Sequence, residues 1–232
     1  MSAIHASYAQ GKTVLFVTME NSKESIESRL DALQFKIPFG DLRQSLVDYR
    51  TELRWEDEAT KISSEKGDIF VVDDTKVKTV PDIDQLVSVY DPDFVIIDGA
   101  YKLDAYGQDM FNKSHKVLNQ LHQSAGDSDA AWLATSQLNP SAEKAVGGRA
   151  TAYEARGNKG WVIDPATVMV ITQTPDQLML NRVQCEVAKI REAGGEISSD
   201  LKFLMLQDRT NMVFDEIQPE DYVNQDILEL TM

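Results

Sequence analysis

The sequence predicts an α/β fold: a mostly parallel sheet covered on both faces by helices, with an antiparallel extension towards the C-terminus. Three observations predict it. Four runs are apolar nearly end to end: residues 13–18 (TVLFVT), 68–72 (DIFVV), 93–98 (DFVIID) and 131–136 (AWLATS). Strands of this kind are buried on both faces, as in a parallel sheet. Amphipathic stretches separate them, the alternation expected of crossover helices. Beyond residue 160, strands follow at short spacing with turn signals such as Gly194-Gly195, which reads as antiparallel pairing.

Each element has a local reason. Residues 22–33 carry Ile26, Leu30 and Leu33 at helical spacing, with Ser22 placed to cap the N-terminus. Residues 39–64 are charged with scattered apolar positions and predict two helices. Pro81 opens a helix where its absent N–H costs nothing, and Ile83, Leu86, Val87 and Tyr90 form its apolar face. Residues 110–121 are amphipathic again. Residues 138–160 have no apolar period and are rich in Gly, Ala and charge, so a long loop is expected. Strands are expected at 167–172, 184–191, 200–206 and 212–214. Residues 1–217 read as one domain. Residues 218–232 form an acidic tail with four acids and no base, frayed or facing a partner.

Bulk properties narrow the function. At 232 residues and 42% hydrophobic composition, the chain can bury one sizeable core. It has no apolar run long enough to cross a bilayer, and no signal peptide, so no membrane partner is expected. Cys185 stands alone and cannot form an internal disulfide; within its alternating run a buried thiol is expected. These features fit a reducing cytoplasm, the host's if the gene is viral. A net charge of -15 repels nucleic acid on average and argues against a general DNA-coating role.

In an open parallel sheet, ligands bind beyond the carboxyl ends of the strands. There stand Glu20, just after the first strand, Asp98, closing the third, and Gln137, just after the fourth. Two carboxylates and an amide suit magnesium–nucleotide chemistry. An Asp can hold the metal, a Glu can orient or deprotonate the attacking water, and a Gln can contact the terminal phosphate. Alone, each has a plainer reading: Asp98 as a turn former, Glu20 as an acid at a helix start, Gln137 as a loop amide. Lys189 and Arg191, two apart in VQCEVAKIR, share a strand face and could clamp a phosphate. Alternatively they blunt a solvated strand edge.

Several segments resemble DnaB-type replicative helicases. VLFVTMENSKESIESRLDAL resembles the segment in which "SLEMS" precedes an arginine-bearing helix. DFVIIDGAYKL resembles the Walker B strand, WLATSQLNP is similar to "SQLNR", and AKIREAGG is similar to "KNRNG", followed by a strand and then FLMLQDRTNMVFDEI. Order and spacing match from about residue 3 to residue 217, and details such as DGAYKL look more like phage members. The resemblance implies a RecA-like P-loop NTPase core that unwinds duplex DNA by moving on single-stranded DNA, with ATP and Mg2+ as cofactors. It implies Glu20 as the glutamate polarising water, Asp98 as the Walker B aspartate for magnesium, and Gln137 as the γ-phosphate sensor. Arg191 would be the arginine finger and Lys189 its companion, both serving the neighbouring subunit. Supply in trans implies a homo-oligomeric ring, a hexamer, with primase and a helicase loader as possible partners.

Under that resemblance, residues 138–161 face a channel for single-stranded DNA. Lys144, Arg149, Arg156 and Lys159 stand there against Glu143 and Glu154, a local charge of +2 that leaves -17 on the remainder. A cationic strip on an acidic body suits a pore that grips DNA only where it should. A mixed-charge surface loop has the same composition.

One part of the family pattern does not appear. The G-x-x-x-x-G-K-S/T phosphate loop should open a helix, whose N-terminal amides hold the anion. Gly11-Lys12-Thr13 instead leads into a strand, and Ala6 stands where the first glycine should be. Residues 2–10 then read as the end of the helix after the loop, with Gly11 as its C-cap. The part carrying the loop is expected upstream, and this chain alone is expected to hydrolyse ATP poorly. A fragment, one piece of a split gene and a degenerate paralogue remain open. Retention of Glu20, Asp98, Gln137, Lys189 and Arg191 argues against the last. Another RecA-like ATPase, such as a recombinase, and a non-catalytic module that caps or loads a helicase ring are the alternatives.

Overall fold

The computed structural model describes residues 10–62, 67–105, 110–137, 160–191, 201–211 and 213–217. Residues 1–9, 138–159, with Lys144, Arg149, Arg156 and Lys159, 192–200, with Gly194-Gly195, and 218–232 lie outside them. The chain divides into two compact units, residues 1–136 with 209–212, and residues 137–208 with 213–232.

The first unit is a four-stranded sheet of order β2-β1-β3-β4, with β1 Val14–Thr18, β2 Ile69–Asp73, β3 Phe94–Asp98 and β4 Ala131–Ala134. Each neighbouring pair is parallel. Helices fill the crossovers: α1 Lys23–Phe35, α2 Phe39–Arg43, α3 Tyr49–Ile62, α4 Val80–Tyr90 and α5 Met110–Asp127. β1 lies between two partners, which is why all five of its residues are buried. Alternate residues point to opposite faces. Val14 and Phe16, with Val71 and Ile96, pack beneath Ile26 and Leu30 of α1. Leu15 and Val17 point the other way, and α4 packs against β1 and α5. β4 is paired only with β3, and although apolar it is mostly exposed among the described residues.

The helix starts follow the local chemistry. Ser22 caps α1, its Oγ accepting from Ser25 N at 3.3 Å. At α4, with Pro81 in the first turn, Asp82 Oδ2 accepts from Lys78 N, Thr79 N and Thr79 Oγ1 at 2.9, 2.8 and 2.8 Å. The Lys78 amide holds the Asp82 carboxyl below its ordinary value; burial opposes it, and the Thr79 amide and hydroxyl add further to the lowering. A depressed folded-state value means a contribution present above the unfolded value and lost as pH falls through the folded one. Asp82→Ala is therefore expected to cost about 1 kcal/mol at neutral pH. In urea titrations the gap between wild type and variant should close below about pH 4; a gap unchanged by acid would contradict this account.

The second unit is an antiparallel sheet of order β5-β6-β7-β8: β5 Thr167–Thr172, β6 Arg182–Ile190, β7 Lys202–Asp208 and β8 Val213–Glu216. The expected antiparallel strands thus pair among themselves as a second four-stranded sheet. A register shift at Val168/Met169 marks a bulge. Two short helices escaped the periodicity: α6 Gly160–Ile163 and α7 Pro175–Met179. The second carries a capping box, in which Thr174 Oγ1 accepts from Gln177 N at 3.2 Å and Gln177 Oε1 from Thr174 N at 2.9 Å. Helices this short show too few turns for a period. Cys185 is buried as expected, and burial pushes its thiol above the ordinary value. Among the described residues, no helix is long and apolar enough to cross a membrane.

Candidate functional site

Register sets the geometry of the first unit's carboxyl edge. Thr18 of β1 pairs with Asp98 of β3, so both strands leave the sheet side by side. The chain after β1 is turned by Thr18, whose buried hydroxyl accepts from Asn21 N at 3.0 Å and donates to Asn21 O at 3.2 Å. Met19 N donates to Asp98 O at 2.8 Å, extending the pairing one residue beyond the strand. Glu20 therefore stands over Gly99, the residue after Asp98, because two adjacent parallel strands end in register.

The Asp98 carboxylate is held from two sides. Thr135 Oγ1 donates to Oδ1 at 3.1 Å, and Asn21 Nδ2 lies 3.4 Å from Oδ2. Thr135 also accepts from Gly99 N at 2.9 Å, and its carbonyl accepts from Ala100 N at 3.0 Å. Behind Asn21, the Arg29 guanidinium makes a long 3.5 Å contact to the amide oxygen. It also lies 5.8 Å from the Phe39 ring centroid. Gly99, with φ of 81°, starts a 3-10 turn over Ala100–Lys102. From that turn the Tyr101 hydroxyl donates to Glu20 Oε1, and Lys102 Nζ donates to Met19 O at 3.3 Å.

A single carboxylate with flanking hydroxyl and amide groups fits magnesium in one particular manner. Magnesium keeps several waters and takes one or two carboxylates plus substrate phosphates. Among the described residues, no cluster of three or more His, Cys, Asp or Glu could hold a metal ion by itself.

Gly11-Lys12-Thr13 lies at the other end of the strands. Lys12 Nζ donates to Asp93 Oδ1 at 2.8 Å, and Thr13 N to Asp93 Oδ2 at 2.9 Å, just before β1 and β3 begin. The Lys12 side chain and the Thr13 amide hold the Asp93 carboxyl below its ordinary value. The length of β1, about 16 Å at the usual strand rise, separates this lysine from Glu20. Gly11 is in a turn with φ of 74°, and no helix follows it before the strand.

The remaining expected residues fall in the second unit. Gln137 is exposed, three residues past the end of β4. Lys189 is paired with Val168 near the end of β6. Arg191 follows the strand, its amide donating to Ala166 O at 2.7 Å and its guanidinium to the Asp164 carbonyl at 2.5 Å. Burial, then the neighbouring Arg191 charge, depress the Lys189 ammonium, opposed by Asp164. The two cations are thus electrostatic neighbours, as their spacing requires. Asn21, Thr135, Tyr101 and Lys102 were passed over in the sequence. Their one signal there is position, since each is polar and lies within a few residues of a strand's carboxyl end.

No family model matches the sequence, and no curated protein matches it. Solved structures do. The ATPase domain of G40P superposes with a TM-score of 0.77 at 16% identity, over 92% of this chain and 78% of that one. A DnaB-like replicative helicase, solved in a study of its interactions with primase, gives a TM-score of 0.75 at 17% identity. That match covers 91% of this chain and 52% of the other, so this chain spans about half its length. The fold is RecA-like. In a RecA-like domain the carboxyl edge of the parallel sheet is the ligand-binding edge of open α/β sheets generally, and both Asp98 and Glu20 lie on that edge.

Proposed function

We propose that this chain is a motor segment of an ATP-driven replicative DNA helicase, supplying the water-activating and metal-holding groups. The observation that carries this reading is the Glu20 side chain lying over Gly99, the residue after Asp98, where two adjacent parallel strands end in register. In this reading Asp98, oriented by Thr135 and Asn21, holds Mg2+ with the nucleotide phosphates. Glu20 orients and deprotonates the attacking water. Gln137 senses the terminal phosphate, and Arg191 with Lys189 stabilises the charge on the nucleotide of a neighbouring copy, which requires a ring, a hexamer in the family. Lys144, Arg149, Arg156 and Lys159 grip single-stranded DNA in its channel. A phage origin and contacts to primase and a loader belong to the same reading. In this reading Lys12 does not serve a phosphate loop, because its side chain is committed to Asp93 at the far edge.

The test is single-turnover ATP hydrolysis with the protein in excess, in Mg2+ and single-stranded DNA. Slow turnover is expected, and Glu20→Gln should cut it by about 100-fold or more. Turnover indifferent to Glu20→Gln would remove the catalytic role. Absence of any turnover, with ring-partner binding retained, would favour an interaction module. Robust multiple turnover by this chain, abolished by Glu20→Gln, would show that the phosphate cradle is present in it.

A further inference from the structure

The turn after β3 holds the turn after β1 residue by residue. Lys102 Nζ donates to the carbonyl of Met19, and the Tyr101 hydroxyl donates to the carboxylate of Glu20. The platform beneath them is fixed. Gly99 N and Ala100 N both donate to Thr135, to its hydroxyl at 2.9 Å and its carbonyl at 3.0 Å. Lys102 N and Leu103 N close the 3-10 turn on Gly99 O and Ala100 O at 2.9 and 3.1 Å. The Glu20 side chain lies directly over Gly99, where a Cβ would come 2.7 Å from its Cγ and 3.3 Å from its Cδ. Its carboxylate is therefore confined from below by a bare backbone and from the side by a phenol.

We propose that Tyr101 is a positioning residue for Glu20: its hydroxyl fixes the orientation of the carboxylate that faces the attacking water. This rests on the hydrolytic reading of Glu20 given above. One oxygen, Oε1, accepts from Tyr101. Rotation of the carboxylate about its last bond then breaks that bond, so the plane of the group is set by the turn rather than by solvent. A general base must lie within hydrogen-bond reach of the proton it takes, and misplacement by about 1 Å can cost on the order of 100-fold. In this role Tyr101 acts through Glu20.

The experiment has two arms on the full chain. The first is a double-mutant cycle of Tyr101→Phe and Glu20→Ala in urea unfolding, which needs no activity. A non-zero coupling is expected because the residues are in contact; additive effects would overturn the proposal and leave the hydrolytic reading untouched. The second is single-turnover hydrolysis over a range of ATP concentrations. Tyr101→Phe should lower the maximal rate about tenfold with unchanged half-saturation, the signature of an interaction that matters in the transition state. Tyr101→Phe at the wild-type rate overturns the proposal while the Glu20 dependence still stands. A rate that Glu20→Gln does not change overturns the hydrolytic reading, and the positioning role with it.

Discussion

Leu15→Ala lowers the free energy of unfolding by about 2–5 kcal/mol, the range for truncating a fully buried leucine. Leu15 is wholly inaccessible, the second residue of the inner strand, paired with Phe70 on one side and Val95 on the other. Its neighbours are held by ladder hydrogen bonds on both sides, so the sheet cannot collapse into the space the side chain leaves, and the cavity term adds to the lost transfer energy. The control is Leu133→Ala in β4, a strand paired on one side only, where the side chain is 40% exposed. That change should cost less than about 1 kcal/mol. Urea midpoints at constant slope measure both. Equal losses at the two positions would mean that the first unit's core is not centred on β1.

Gly99→Ala should separate catalysis from stability. The backbone there has φ of 81°, a region that costs an L-residue roughly 1–2 kcal/mol. The added Cβ meets Glu20 Cγ at 2.7 Å, closer than real contacts allow, and the atom in the way is a side chain that can swing aside. The protein should therefore stay folded, destabilised by about that backbone strain, while Glu20 leaves its place. Glu20-dependent hydrolysis should fall on the order of 100-fold, with the unfolding midpoint moved only modestly. Wild-type hydrolysis in a folded Gly99→Ala variant would detach Glu20 from the chemistry. At Gly67 the same change meets backbone, Lys12 C and O at 2.5 Å, so the two glycines should behave differently.

The contrast between Glu20 and Lys12 shows what a linear reading can reach. Both flank the same strand. The apolar run 13–18 told that a strand lies between them and that GKT precedes it, which already removed Lys12 from the helix start that a phosphate loop needs. What Lys12 does instead, a bond to Asp93 eighty-one positions away, depends on β1 and β3 being neighbours, and no local pattern encodes that. Asn21 and Thr135 were invisible as a pair for the same reason. They meet only at Asp98, one from the turn after β1 and one from the end of β4.

The sequence by itself determined the elements and their order: buried strands where β-branched and apolar residues run on, helices where they recur at 3.6, caps at Ser22 and the Pro81 turn, and an acidic body. These depend on interactions within a few residues, which a local pattern records. Tertiary structure alone decided the strand order β2-β1-β3-β4, the pairing of β5 to β8 into their own sheet, and the grip of Tyr101 and Lys102 on the chain after β1. Those depend on hydrogen-bond ladders and side-chain contacts between segments far apart in the chain, where register, set by packing of both faces at once, brings the turns after β1 and β3 together.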